Sequence, residues 1–90
     1  MKITYDPAKR AKNLAKHGLD LADAAEVFAG EHSNAPDLRD YGGEQRFIAA
    51  GYLRGRMVVI VWTSRRKTRR VISMRYCHAK EAKRWHARFG

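Results

Sequence analysis

Met57-Val58-Val59-Ile60-Val61-Trp62 is apolar on both alternations of a strand, so neither of its faces is suited to water. Such a run fits a central strand covered on both sides better than a half-exposed one. Working outward, Gln45 to Leu53 and Met57 to Thr63 flank Arg54-Gly55-Arg56, and a short Gly-containing turn between two such runs predicts an antiparallel hairpin. On the other side, the basic turn Ser64 to Thr68 leads into a further strand, Arg69 to Cys77. Simple alternation points Ile72, Met74 and Tyr76 one way and Val71, Ser73 and Arg75 the other. That places a hydroxyl and a guanidinium on a face the core does not claim.

The flanks are helical. Ile3 to Tyr5 is a short β-like run, suited to an edge strand, and it leads directly into Asp6-Pro7-Ala8-Lys9-Arg10-Ala11-Lys12-Asn13-Leu14-Ala15-Lys16-His17-Gly18. Asp6 can cap the first turn, Pro7 suits the first helical position, and Gly18 can take the left-handed stop, so a helix is predicted from Pro7 to His17. Its period sets Ala8, Ala11, Leu14 and Ala15 on a packing face, with Lys9, Lys12, Asn13 and Lys16 on a charged one. Asp20 is a second cap, before Leu21, Ala24, Ala25 and Phe28 at helical spacing and a stop at Gly30, which completes a helical hairpin. Glu31 to Gly43, with Pro36 and Gly42-Gly43, is either a loop or one weak strand around Ser33 to Leu38. Ala79 to Phe89 carries Ala82, Trp85 and Phe89 at i, i+3 and i+7 and reads as a closing helix.

The chain of 90 residues suffices for one domain with one modest core, so residues 1–90 are expected to form a single unit. No stretch approaches the roughly 18 apolar residues of a membrane span, and the N-terminus has no apolar signal region. Cys77 stands alone, which excludes an intramolecular disulfide and fits a cytoplasmic location. The net charge of +10 is unevenly spread. Asp20, Asp23, Glu26, Glu31, Asp37, Asp40 and Glu44 face only Arg39 between residues 20 and 44, whereas residues 54–90 hold twelve Lys or Arg against Glu81. A field of that sign attracts polyanions, nucleic acid foremost, though an acidic protein would also satisfy it. Membrane attachment lacks the long amphipathic segment it needs. The four histidines and one cysteine show no zinc-like spacing, and no Gly-rich phosphate loop is present, so no metal and no cofactor are expected. Cys77 and His78 are strand neighbours that point apart, which argues against a cysteine hydrolase.

The chain resembles the BrnT toxins of bacterial type II toxin-antitoxin systems. Asp6-Pro7, Lys9, Asn13 and Lys16-His17-Gly18 match the family's N-terminal signature, and Ala24-Ala25 with Val27-Phe28 match its second helix. Gly43-Glu44, Arg46-Phe47 and Gly51 match the entry to its sheet. Thr63, Arg70-Val71-Ile72-Ser73-Met74-Arg75 and Glu81 match its C-terminal half. The pattern is departed from at Tyr76, Cys77 and His78, which inherit no role. The resemblance implies a RelE-like α+β fold: an N-terminal strand and two helices packed on a curled antiparallel sheet of about four strands, then a C-terminal helix. It also implies a metal-independent ribonuclease of the mRNA interferase type, which inhibits translation and is held in check by a ribbon-helix-helix, BrnA-like antitoxin. Two toxins with an antitoxin dimer, and the ribosome as a further partner, are implied by the same likeness.

Cleavage by attack of a ribose 2′-hydroxyl on its phosphate requires a proton acceptor, charge stabilisation and help for the leaving 5′-oxygen. Arginine suits the second task because its fork bonds two phosphate oxygens while staying protonated. Arg70 and Arg75 are the first candidates. Arg46 is a third, and Glu44, two residues earlier, is either a base or its strand-end ion-pair partner. His17 is either a proton-transfer group or a ligand of helix-end carbonyls. His78 suits a helix start, and His32 and His86 have no evident partner. Lys9, Lys12 and Lys16, with Arg65, Arg66, Lys67 and Arg69, are either phosphate contacts or solvated basic surface. Of the aromatics, Tyr76 is the better candidate for base stacking, while Trp62 and Trp85 suit the core. The competing reading from another class is a non-catalytic RNA- or DNA-binding module using the same surface; a structural subunit for an acidic partner is a third.

Overall fold

The computed structural model describes residues 2–89, the side chains of Arg88 and Phe89 excepted. At its centre is β4 (Arg56–Arg65), flanked by β3 (Arg46–Leu53) and β5 (Thr68–Tyr76), both antiparallel to it. The apolar run is covered on both faces as its sequence demands. Val58, Ile60 and Trp62 pack with Ala49 and Leu53 under the N-terminal helices, while Met57 joins Ala50 and Trp85 on the opposite side.

The sheet is larger and less uniform than the four antiparallel strands expected. It has five strands in the order β1-β5-β4-β3-β2 and is mixed. β1 (Lys2–Thr4) joins its edge parallel to β5, with Lys2 opposite Thr68 and Thr4 opposite Arg70. A strand of three residues carries too little alternation to announce its direction, and its partner lies far along the chain. At the other edge, the loop-or-strand question over residues 31–43 resolves as β2 (His32–Asp37), antiparallel to β3. Pro36 is tolerated because one side of an edge strand needs no N–H.

α1 (Pro7–His17) has the predicted ends: Asp6 Oδ1 accepts the Ala8 N–H at 2.8 Å, and Gly18 stops the helix at φ 69° with its N–H bonded to the Leu14 carbonyl. Its packing face is not the predicted one. Ala8, Ala11 and Ala15 are exposed and Leu14 is 50% exposed, whereas Asn13 is buried. The cause is that α1 docks beside the edge of β5, beyond the point where β1 stops pairing. A strand edge presents unpaired backbone groups, so it selects an amide and not a hydrocarbon. Asn13 Nδ2 donates to the carbonyls of Leu19 and Met74, each at 2.9 Å, and Asn13 Oδ1 accepts the Met74 N–H at 3.1 Å.

The second helical segment is a 3₁₀ turn, Leu21–Asp23, capped by Asp20, followed by α2 (Ala24–Ala29). It buries Leu21, Ala24, Val27 and Phe28; Ala25, placed in the stripe by spacing, is exposed because the 3₁₀ turn shifts the phase. In β5 the predicted alternation also fails. A bulge leaves Ile72 unpaired between Val61↔Ser73 and Trp62↔Val71, so Val71 and Met74 enter the same core. α3 (Ala79–Phe89) lays Ala82 and Trp85 on the second face of the sheet; the Phe89 side chain of its predicted stripe lies outside the described ones.

Candidate active site

Across β3, β4 and β5, Arg46, Thr63 and Arg70 are in register, so their side chains leave the same face of the sheet as a row. With Arg65 and Glu44 they line a cavity of about 230 Å³ whose far wall is Asp6 and Lys9 of α1. A second hollow of about 180 Å³ continues along the helix between Lys9, Lys12, Lys16 and His17 on one side and Ser73 on the other. Lys9 and Ile72 border both, so the two form one groove. Asn13 makes this possible by holding α1 along β5, which sets positions 9, 12 and 16 of the helix as a basic rim.

The charges within the groove are unequally matched. Glu44 accepts from Arg46 Nε at 2.9 Å and from Arg65 Nη2 at 3.1 Å, and Arg46, then Arg65, hold its carboxyl below the usual carboxylate range against the effect of burial. Glu44 and Arg46 are thus the ion pair their spacing allowed. Arg46 is also stacked on the Tyr41 ring at 3.9 Å, and the Tyr41 hydroxyl donates to Asp37 at 2.7 Å. Asp37 is buried; its bidentate pair with Arg39, helped by Tyr41, holds its carboxyl far below the ordinary value. The loop between β2 and β3 is therefore a support that fixes Arg46. Arg70 differs: half-buried in the same cavity, it has no hydrogen-bond or ion-pair partner among the described residues. Lys9, Lys12 and Lys16 likewise have none. A partly desolvated guanidinium that no carboxylate pairs, rimmed by ammonium groups, is suited to receive an anion.

Other residues singled out by sequence lie elsewhere. Arg75 forms a bidentate pair with Glu81 of α3, at 2.7 and 2.8 Å, and lines neither part of the groove. Arg75 foremost, with Cys77 and the His78 N–H, lowers the Glu81 carboxyl to about 2 against burial. Burial, then Glu81, pushes the Cys77 thiol up to about 11, which keeps it protonated at neutral pH. Arg69 lies over the rings of Phe28 and Trp62 at 4.2 and 5.2 Å. Tyr76 has Arg56 over its ring at 3.7 Å. Arg66 and Lys67 form the β4–β5 turn, and Arg66 borders a shallow depression that Arg65 and Arg70 connect to the groove. His17 closes the far end, about 12 Å along the helix from Lys9 at 1.5 Å per residue. Three residues that line or support the groove were assigned no role there from sequence: Asp6 and Thr63 matched the family pattern but read as a cap and a strand residue, and Tyr41 read as loop. Nothing local reveals that the start of α1 faces the ends of β3 and β4.

Among the described residues no three His, Cys, Asp or Glu side chains converge, and no helix is long and apolar enough to cross a membrane. The fold and groove define a small basic α+β protein with a cationic groove between a helix and a sheet. The chain belongs to the BrnT family, the ribonuclease toxins of type II toxin-antitoxin systems, whose family model matches residues 5–81. No curated protein matches it. The matched span contains the whole groove, from Asp6 to Ser73, and the family makes RNA the substrate and an antitoxin the partner.

Proposed function

We propose that the chain cleaves RNA without a metal, by attack of a 2′-hydroxyl on the adjacent phosphate, and that it inhibits translation by cutting messenger RNA. The observation that carries this reading is the unpartnered Arg70 in a cavity with two further guanidiniums. Arg70 takes the scissile phosphate, and its fork meets the charge that grows on the phosphorane. Arg46 and Arg65, held by Glu44, provide fixed positive potential behind it. Lys9, Lys12 and Lys16 track neighbouring phosphates and set register without choosing sequence. His17, at the far end, meets the RNA backbone away from the scissile bond. Arg75 acts through Glu81 by holding α3 to the sheet. A ribbon-helix-helix, BrnA-like antitoxin restrains the toxin, two toxins to one antitoxin dimer.

The test incubates the purified chain in EDTA with free RNA and with ribosome-bound messenger. Expected products carry a 2′,3′-cyclic phosphate and a 5′-hydroxyl, and Arg70→Ala lowers the rate by about 10²–10³ with the fold intact, as for loss of a transition-state donor. Saturable binding without cleavage of either RNA would instead identify a non-catalytic binding module.

A further inference from the structure

We propose that Asp6 is the group that takes the proton from the attacking 2′-hydroxyl, in addition to capping α1. This rests on the ribonuclease reading above and deepens it. The groove holds two carboxylates at the Arg70 end, Asp6 and Glu44. Both oxygens of Glu44 are engaged, Oε1 by Arg46 and Oε2 by Arg65. Those guanidiniums lower its proton affinity, and a carboxylate so held is a poor base.

Asp6 has the opposite arrangement. Its Oδ1 accepts the Ala8 N–H at 2.8 Å, which orients the carboxylate on the helix start. No donor among the described residues reaches Oδ2. Asp6 is therefore fixed by one oxygen and open at the other, a combination suited to receiving a proton. It lines the same cavity as Arg70, so a phosphate held by that guanidinium brings its flanking ribose to the start of α1. Lys9 lies one helical turn further on, in the same cavity.

The step balances within these groups. Asp6 Oδ2 takes the 2′-hydroxyl proton as the oxygen's electron pair forms the new bond to phosphorus. The bond from phosphorus to the 5′-oxygen breaks, and that oxygen leaves with the electron pair and takes a proton from the Lys9 ammonium. A 2′,3′-cyclic phosphate and a 5′-hydroxyl result. Asp6 then gives its proton to water, and Lys9 regains one.

The capping role and the proton-accepting role separate by substitution, because Asn and Ser cap a helix about as well as Asp but accept no proton at neutral pH. Asp6→Asn and Asp6→Ser are compared with wild type, well below each melting temperature, for melting, RNA affinity and single-turnover cleavage of free and ribosome-bound RNA. Expected are melting and affinity near wild type and a cleavage rate lower by about 10²–10³, the usual share of a general base. The charged groups facing Asp6 are Lys9, Glu44, Arg46, Arg65 and Arg70. The decline of the rate at acid pH should accordingly vanish from the residual activity of Asp6→Asn and persist in Glu44→Gln. Cleavage by both Asp6 variants within threefold of wild type overturns the proposal and leaves the ribonuclease reading in place. An acid decline that persists in Asp6→Asn and vanishes in Glu44→Gln also overturns it, in favour of Glu44. A wild type that cleaves neither RNA overturns both.

Discussion

The Asn13 side chain and the Met74 backbone form a reciprocal pair, with the Met74 N–H donating to Asn13 Oδ1 at 3.1 Å and Asn13 Nδ2 donating to the Met74 carbonyl at 2.9 Å. The amide thus does for the middle of β5 what a neighbouring strand would do, and the same bond fixes α1 as the wall of the groove. Asn13→Ala leaves buried Met74 and Leu19 groups unsatisfied, at about 1–3 kcal/mol for each group that water does not reach. The expected loss is about 2–4 kcal/mol in urea unfolding. Asn13→Asp should lose most of the same amount, since it keeps an acceptor for the Met74 N–H but no donor for the two carbonyls. Unchanged stability in both variants would show that α1 docks by other contacts.

Glu81 makes stability depend on pH in a defined window. Its carboxyl lies at about 2 in the folded protein against an ordinary 4.5, chiefly through Arg75. A depressed folded value means that the stabilisation is full above the unfolded value and is lost as pH falls from about 4.5 towards 2. Wild type should therefore melt above Glu81→Gln at neutral pH, and the gap should close across that interval. Melting curves at pH 7, 4 and 2.5 check this; a gap independent of pH would mean that the Arg75 pair contributes by shape and not by charge.

Much of this fold was readable because its signals are local. Asp6, Pro7 and Gly18 bound α1 by backbone chemistry alone, and Met57 to Trp62 suited a strand covered on both faces better than a half-exposed one. What was misread depends on partners distant in sequence. The apolar stripe Ala8, Ala11 and Leu14 predicts the inward face of a helix that packs on hydrocarbon, but α1 meets a strand edge, where Asn13 is the better fit. The bulge at Ile72 likewise answers to pairing with β4 and leaves no mark in residues 69–77. Glu44, Arg46 and Arg70, singled out through the resemblance, line one cavity, whereas Arg75 is drawn away by Glu81, a partner on an element the strand pattern cannot see. Asp6, although part of the family's N-terminal signature, was read only as a cap, because capping already accounts for it.

Gly51 on β3 is required by what faces it. A Cβ there would lie 2.7 Å from Val27 Cγ1, 3.1 Å from His32 Cβ and 3.3 Å from the Glu31 carbonyl. Two of those neighbours belong to the segment that turns from α2 into β2 and have little room to retreat. Gly51→Ala should push α2 from the sheet and cost about 1–3 kcal/mol, as overpacked core substitutions do. Val27→Ala in the same chain, by removing the nearest atom, should recover part of the Gly51→Ala loss. Urea midpoints of the single and double variants test this, and strict additivity would exclude the Val27 contact as the cause.

The β4–β5 turn holds two cationic residues in the left-handed region of the backbone. Arg66 and Lys67 both have positive φ, at 48° and 64°, the two-residue geometry that favours Asn-Gly. Side chains in that region cost about 1–2 kcal/mol each relative to the right-handed conformation, least for Asn and Gly. Replacing the pair as Arg66→Asn with Lys67→Gly should raise stability by about 1 kcal/mol, or several degrees in melting temperature for a domain of this size. The same double variant removes two cations beside the groove opening at Arg65 and Arg70. If both touch phosphates of single-stranded RNA, the slope of log affinity against log salt should shrink by about 1.4. Greater stability with an unchanged slope would leave Arg66 and Lys67 as solvated surface; greater stability with the reduced slope would show that the strain is retained for RNA binding.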